Sequence, residues 1–126
     1  MRALVPIGRA LFALVFIVSL FNHFSGSTID YASAQGVPLA TLVVPLTGLL
    51  AFVGGVMVLV GYRARFGAFL LFCFLVPVTL VMHAFWGAPD AATAAQEKAH
   101  FMKNLSLLGG TLLLMYFGSG PLSLDD

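Results

Sequence analysis

The sequence predicts an all-α membrane protein, a four-transmembrane-helix antiparallel bundle with its N- and C-termini cytoplasmic. Three observations predict it. Of 126 residues, 60% are hydrophobic and only 9% charged, where an ordinary soluble domain is roughly 25% charged. Four continuous apolar runs each approach or exceed the roughly 20 residues that a bilayer core requires. The arginines fall at one set of run ends and the lysines at the other. A chain this short cannot hide so much apolar surface in a water-soluble core, so a soluble globular fold is excluded. The net charge of +1 leaves no basic face for nucleic acid. A single cysteine excludes both a disulfide framework and a CxxC redox motif.

The runs occupy 7–24, 39–60, 66–86 and 99–117. What remains is too short for a second domain, so 1–126 reads as one membrane domain. Barrel strands would alternate every second residue, and these runs do not. Arg2 and Arg9 precede or open the first span, and Arg63 and Arg65 fill the turn between the second and third. Lys98 and Lys103 lie at the start of the fourth, on the other side. The arginine side is expected to face the cytoplasm, which makes the chain a multi-pass protein of a bacterial-type inner membrane. Tyr31, Tyr62, Trp86 and Tyr116 fall near the span ends, where an aromatic belt belongs. The basic start, the first apolar run and Ala32-Ser33-Ala34 also resemble a secretory signal peptide. The gap from Phe24 to Ala34 is long for a cleavage region, so the run is expected to stay as a span.

The connections are short. In 25–38, Ser27 followed by Asp30 reads as a capped helical turn, ended by Gly36 and Pro38. The Ala-rich segment 89–98 follows Asp90, which can cap a helix running without a break into the fourth span. Inside the second span, Gly48, Ala51 and Gly55 share one face. Ser106 and Gly110 form a small-xxx-small pair in the fourth, beside Gly109. Lipid gives helices no hydrophobic reason to associate, so close backbone approach at such faces supplies packing. Pro45 and Pro77 each remove a helical hydrogen bond, the second at the Cys73 carbonyl. A kink there is expected to open space toward the outer side below His83. Cys73 itself reads as a packed, inert thiol.

No carboxylate falls inside a predicted span, which argues against proton-coupled cation antiport. All three histidines instead gather at the outer end: His23, His83 and His100, with Trp86, Lys103 and Asn104. His100, Lys103 and Asn104 share one face of the fourth helix. Such groups suit a quinone head group best and haem iron less well. The plainer reading is that interfacial histidines bond head groups or backbone. No HxxxH-type pair lies on one helix, so no metal site is expected.

The stretch His83-Ala84-Phe85-Trp86, then His100-Phe101-Met102-Lys103-Asn104-Leu105, Gly109-Gly110 and the ending Gly118-Ser119-Gly120-Pro121-Leu122-Ser123-Leu124-Asp125 resembles the DoxX family of small four-helix membrane proteins. Gly36-Val37-Pro38, Gly54-Gly55, Gly61 and Arg9 fit the same pattern. Members of that family commonly carry Gly-x-x-Lys near the end of the first span, where this chain has Leu20 and His23. They also commonly carry Glu before the glycine pair of the second, where it has Ala51. The resemblance implies a membrane subunit associated with a quinone-linked oxidoreductase or respiratory complex. The alternatives are a non-catalytic accessory subunit packing against a larger membrane complex, and a small-molecule transporter. Expected partners are the lipid bilayer and either further membrane subunits or a second copy of the chain. A salt bridge from the tail Ser123-Leu124-Asp125-Asp126 to the arginines of the same side is expected to be structural at most.

Overall fold

A computed structural model describes residues 1–125; Asp126, the last residue of the tail considered above, lies outside the described residues. The chain is all-helical: α1 (Leu4–His23), α2 (Gly26–Ala34), α3 (Ala40–Val60), α4 (Ala64–Met82), a 3-10 turn (Phe85–Gly87) and α5 (Ala91–Phe117). Three segments, Leu4–His23, Ala40–Val60 and Ala64–Gly87, are long and apolar enough to cross a membrane. The 27 residues of α5 are also long enough, but His100, Lys103 and Asn104 dilute its first half. Leu11, Phe21, Leu42, Leu80 and Leu113 stand exposed on the outside, a surface that only lipid satisfies.

α1 packs on α3, α3 on α4, and α4 on α5. The core joins Ala13 and Phe16 of α1, Ala51 and Val58 of α3, and Leu71, Phe74 and Leu75 of α4. Glycines set the closest approaches. A Cβ on Gly54 would lie 2.9 Å from the Gly67 carbonyl, and one on Gly67 would lie 3.0 Å from that of Gly54. α3 and α4 therefore touch backbone to backbone. A Cβ on Gly110 would meet the Phe12 ring at 2.6 Å, which brings α5 against α1.

The helix ends explain where the expected spans move. α3 stops in a paired C-terminal motif, with Tyr62 N–H bonding Met57 O and Gly61 N–H bonding Val58 O; Gly61 takes the left-handed φ of 71° that this motif requires. α4 ends at Met82, four residues before the apolar run does, because 85–87 form the 3-10 turn. α5 starts eight residues before 99, since the Asp90 side chain accepts from Thr93 N–H at 2.7 Å and nucleates it there. In 25–38 a nine-residue helix forms, but Ser27 does not cap it; its hydroxyl pairs with that of Ser25. Cys73 is not packed. It is exposed on the lipid-facing side of α4.

The tail folds back over the arginine end. Leu124 N–H and Asp125 N–H bond Val60 O and Gly61 O, satisfying carbonyls left open where α3 ends. Arg9, only 4% exposed, donates from Nη2 to Leu122 O at 2.6 Å. Arg65 donates to Tyr116 O. Among the described residues the tail is tied by hydrogen bonds: the Asp125 carboxylate accepts from Arg63 N–H at 3.0 Å and from the Ser119 hydroxyl at 2.6 Å. Those two donors, the Arg63 amide first, hold its pKa below the usual 3.8. A depressed carboxylate contributes stability above its unfolded pKa and loses it as pH falls through the folded value. Hydrogen-exchange protection at Leu124 and Asp125 should therefore hold from pH 8 to 5 and collapse only in acid below that pKa. Asp125→Ala should produce the same collapse at neutral pH, and unchanged protection would refute the link.

Candidate binding site

Two helix C-termini, those of α1 and α4, meet the N-terminus of α3 at the end of the bundle opposite the tail. α2 packs there, with Ala32 and Ile29 against Ala40, Val44 and Met82. Between α2, α3 and α4 lies a cavity of about 650 Å³, within the range of small-molecule sites. Its walls are apolar: Val43 and Val44 from α3, and Pro77, Val78 and Val81 from α4. Pro77 places its donor-less backbone on this wall. Polar groups enter from the ends. His23 donates from Nδ1 to Ser19 O at 2.7 Å, because a carbonyl can only accept, and its ring packs 5.5 Å from that of Phe74. Thr47 donates its hydroxyl to Val44 O. Tyr31 donates to Met82 O at 3.1 Å, tying α2 to the end of α4. Burial, then the Glu97 carboxylate, raise the Tyr31 phenol pKa, so the hydroxyl keeps its proton.

Beside the cavity, His83 donates from Nδ1 to the Glu97 carboxylate at 2.9 Å and stacks on His100 with ring centroids 5.0 Å apart. This pair bridges the end of α4 to α5. Trp86 packs edge-on against Phe85 and Phe101 and remains 61% exposed. Lys98 lies over the Phe85 ring.

The six residues singled out in the sequence thus divide. His23 and His83 line the cavity. His100 touches His83 but not the cavity, and Trp86 belongs to the aromatic triangle. Lys103 is exposed, whereas Asn104, its neighbour, is buried in the bundle. Thr79 lies one helical turn below His83 and is 2% exposed, its hydroxyl unpartnered among the described residues. Of the small residues, Gly48 faces the His23 Cβ and Gly55 faces Phe16 and Ile17. Ala51 is fully buried. Gly110 meets Phe12, while Ser106 is exposed and bonds Met102 O. Sequence reasoning missed Glu97, whose signal was its place three residues before His100 on one helix face, and Tyr31, assigned only to the interface. Among the described residues no cluster of three or more His, Cys, Asp or Glu is arranged to hold a metal.

Fold and cavity together define an integral membrane protein of several apolar helices with a small-molecule-sized space at one end. The match to the SURF4 family model runs over residues 4–126, and the chain belongs to that family. It is 32% identical to the inner membrane protein YqjF of Escherichia coli (strain K12) over 123 residues, 96% of this chain and 88% of that one. It is 29% identical to the Surfeit locus protein 4 homolog of Schizosaccharomyces pombe and to the ER-derived vesicles protein ERV29 of Saccharomyces cerevisiae. Those matches take in 64% of this chain but only 27% and 26% of the relatives, so the chain spans about a quarter of their length. No solved structure matches it.

These findings correct the DoxX resemblance: the motifs that suggested it, Lys103-Asn104-Leu105 through Gly109-Gly110 to the tail, lie in a SURF4-family chain. With that resemblance goes the quinone-linked oxidoreductase reading, together with its accessory-subunit and transporter alternatives; the relatives include proteins named for the Surfeit locus and for ER-derived vesicles. His23, one of the six residues, donates its Nδ1 proton to Ser19 O rather than into the site. The bilayer stands as a partner; the expected partner subunits or second copy have no support.

Proposed function

We propose that this chain is a single-domain, four-span binding protein of a bacterial-type inner membrane, which holds a small amphiphile in the cavity beneath α2. The observation that carries the reading is that cavity: apolar walls, polar groups at its ends, and a size suited to one small molecule. His23 and His83 belong to its wall. His100 stacks on His83 and positions it, Trp86 and Lys103 belong to the interfacial end of the bundle, and Asn104 packs inside it. The relative called an inner membrane protein supports the location. A relative called an ER-derived vesicles protein fits binding better than electron transfer.

α5 supplies the fourth span. It packs along α4, and Lys103, midway along the helix and near the outer end of the span 99–117, can extend its amine toward the head groups. Arg9 and the Arg63 amide hold the tail and Arg65 the last turn of α5, so the positive end and the C-terminus share one side, the cytoplasmic one. Single cysteines in a Cys73→Ala background test this. Gly87→Cys should react with a membrane-impermeant maleimide added to spheroplasts, and Tyr62→Cys only after permeabilisation. The reverse pattern would overturn the orientation.

The binding reading is tested by filling the space. Val81 is half-buried on the wall, so Val81→Trp occupies the cavity without entering the core. Added lipid extract should raise the melting temperature of the wild-type protein in detergent by several degrees and leave that of Val81→Trp unmoved. Equal shifts in both would refute it.

A further inference from the structure

We propose that the cavity selects an uncharged amphiphile whose head group is a hydrogen-bond donor, a hydroxyl or an amide N–H. The inference rests on the cavity being a binding site and assigns its ligand a chemical class. Of the eight lining side chains that carry a proton on nitrogen or oxygen, four have spent it on acceptors within the protein. His23 Nδ1 donates to Ser19 O, the Thr47 hydroxyl to Val44 O, the Tyr31 hydroxyl to Met82 O, and His83 Nδ1 to Glu97.

What these groups still offer is acceptance. The Cβ, Cγ and Cδ2 edge of the His23 ring lies against Gly48, and Nδ1 is engaged. Of the two ring nitrogens, Nε2 is the one left unbonded among the described residues, a lone-pair acceptor in the neutral ring of this lining residue. Thr47 stands next to Gly48 in α3 and keeps its oxygen lone pairs. The other donors on the lining are Asn22, Thr28 and Gln35, with Ser27 paired to Ser25; all but Thr28 are exposed, and Thr28 is half-buried. No Asp, Glu, Lys or Arg lines the space. A charged head group would lose its hydration there, and the Glu97 carboxylate beside the wall already accepts from His83 Nδ1. A donor head placed against His23 instead completes a bond, while an acceptor-only head of equal size leaves two acceptors facing each other.

The pair that decides is decan-1-ol against 1-methoxynonane, which have the same number of heavy atoms and differ in the donor. Both are titrated into the wild-type protein in detergent, with Val81→Trp as the blank for micelle partitioning and decylammonium as a charged third probe. Decan-1-ol should bind about fivefold more tightly than the ether, the worth of one hydrogen bond, with decylammonium weaker than the alcohol. His23→Phe, which keeps an aromatic ring beside Phe74 but has no acceptor, should erase the preference. Equal binding of alcohol and ether to the wild-type protein would overturn the donor assignment and leave the cavity as a site. Failure of both to bind beyond the Val81→Trp blank would overturn the site itself.

Discussion

Gly67→Leu should destabilise the protein by about 3 kcal/mol, the upper end of what overpacking usually costs. A Cβ at Gly67 meets the Gly54 carbonyl at 3.0 Å and the Met57 Cβ at 2.8 Å. Neither is the far end of a flexible side chain. Both belong to or adjoin the α3 backbone, which a short turn joins to α4, so the helices can separate only by opening their whole seam. Leu71, wholly buried at that seam, would lose its packing. Gly109→Leu is the control, because nothing lies within 4 Å of a Cβ there. Denaturation in detergent should separate the two variants clearly. Equal stability would mean that α3 and α4 do not cross where the structure places them.

Arg9→Leu should release the tail while the bundle stays folded. The guanidinium is buried, and its Nη2 donates to the Leu122 carbonyl at 2.6 Å. A hydrogen bond from a charged donor contributes about 2 kcal/mol. Its loss should raise hydrogen exchange at Leu124 and Asp125 about thirtyfold, at roughly 1.4 kcal/mol per tenfold. Global stability should move less. Among the described residues Arg9 Nε and Nη1 have no hydrogen-bond partner, and removing a buried charge so incompletely satisfied also removes a desolvation cost. Exchange unchanged in 118–125 would show that the α3 carbonyls alone hold the tail.

The apolar runs were readable because hydrocarbon demands them: three of the four expected spans coincide with α1, α3 and α4 to within a few residues. Their ends were harder. Hydrophobicity continues through Ala84, Phe85 and Trp86 although the helix stops at Met82, since interfacial aromatics are apolar without being helical. The start of α5 depends on Asp90, a cap whose reach hydropathy does not register. His23 and His83 could be placed at one end by counting along the helices, and both line the cavity. That His100 would stack on His83 while Asn104 turned inward and Lys103 outward depends on how α5 is rotated against α4, and short-range pattern does not settle that. The cavity was legible only as an expected opening near Pro77. Its roof is α2, whose nine residues are too few and too polar to announce a packed element. The DoxX resemblance failed because glycine pairs, a Lys-Asn step and a Gly-Pro ending are what short membrane helices and their turns require in more than one family.

The cavity beneath α2 is proposed to hold a molecule taken from the membrane. Native mass spectrometry of the protein extracted gently from its own membranes tests this most directly, with Val81→Trp prepared alongside. The wild-type spectrum should carry an adduct of one small amphiphile per chain, absent from Val81→Trp although that variant inserts and folds. Bare chains in both spectra, or the same adduct in both, would contradict it.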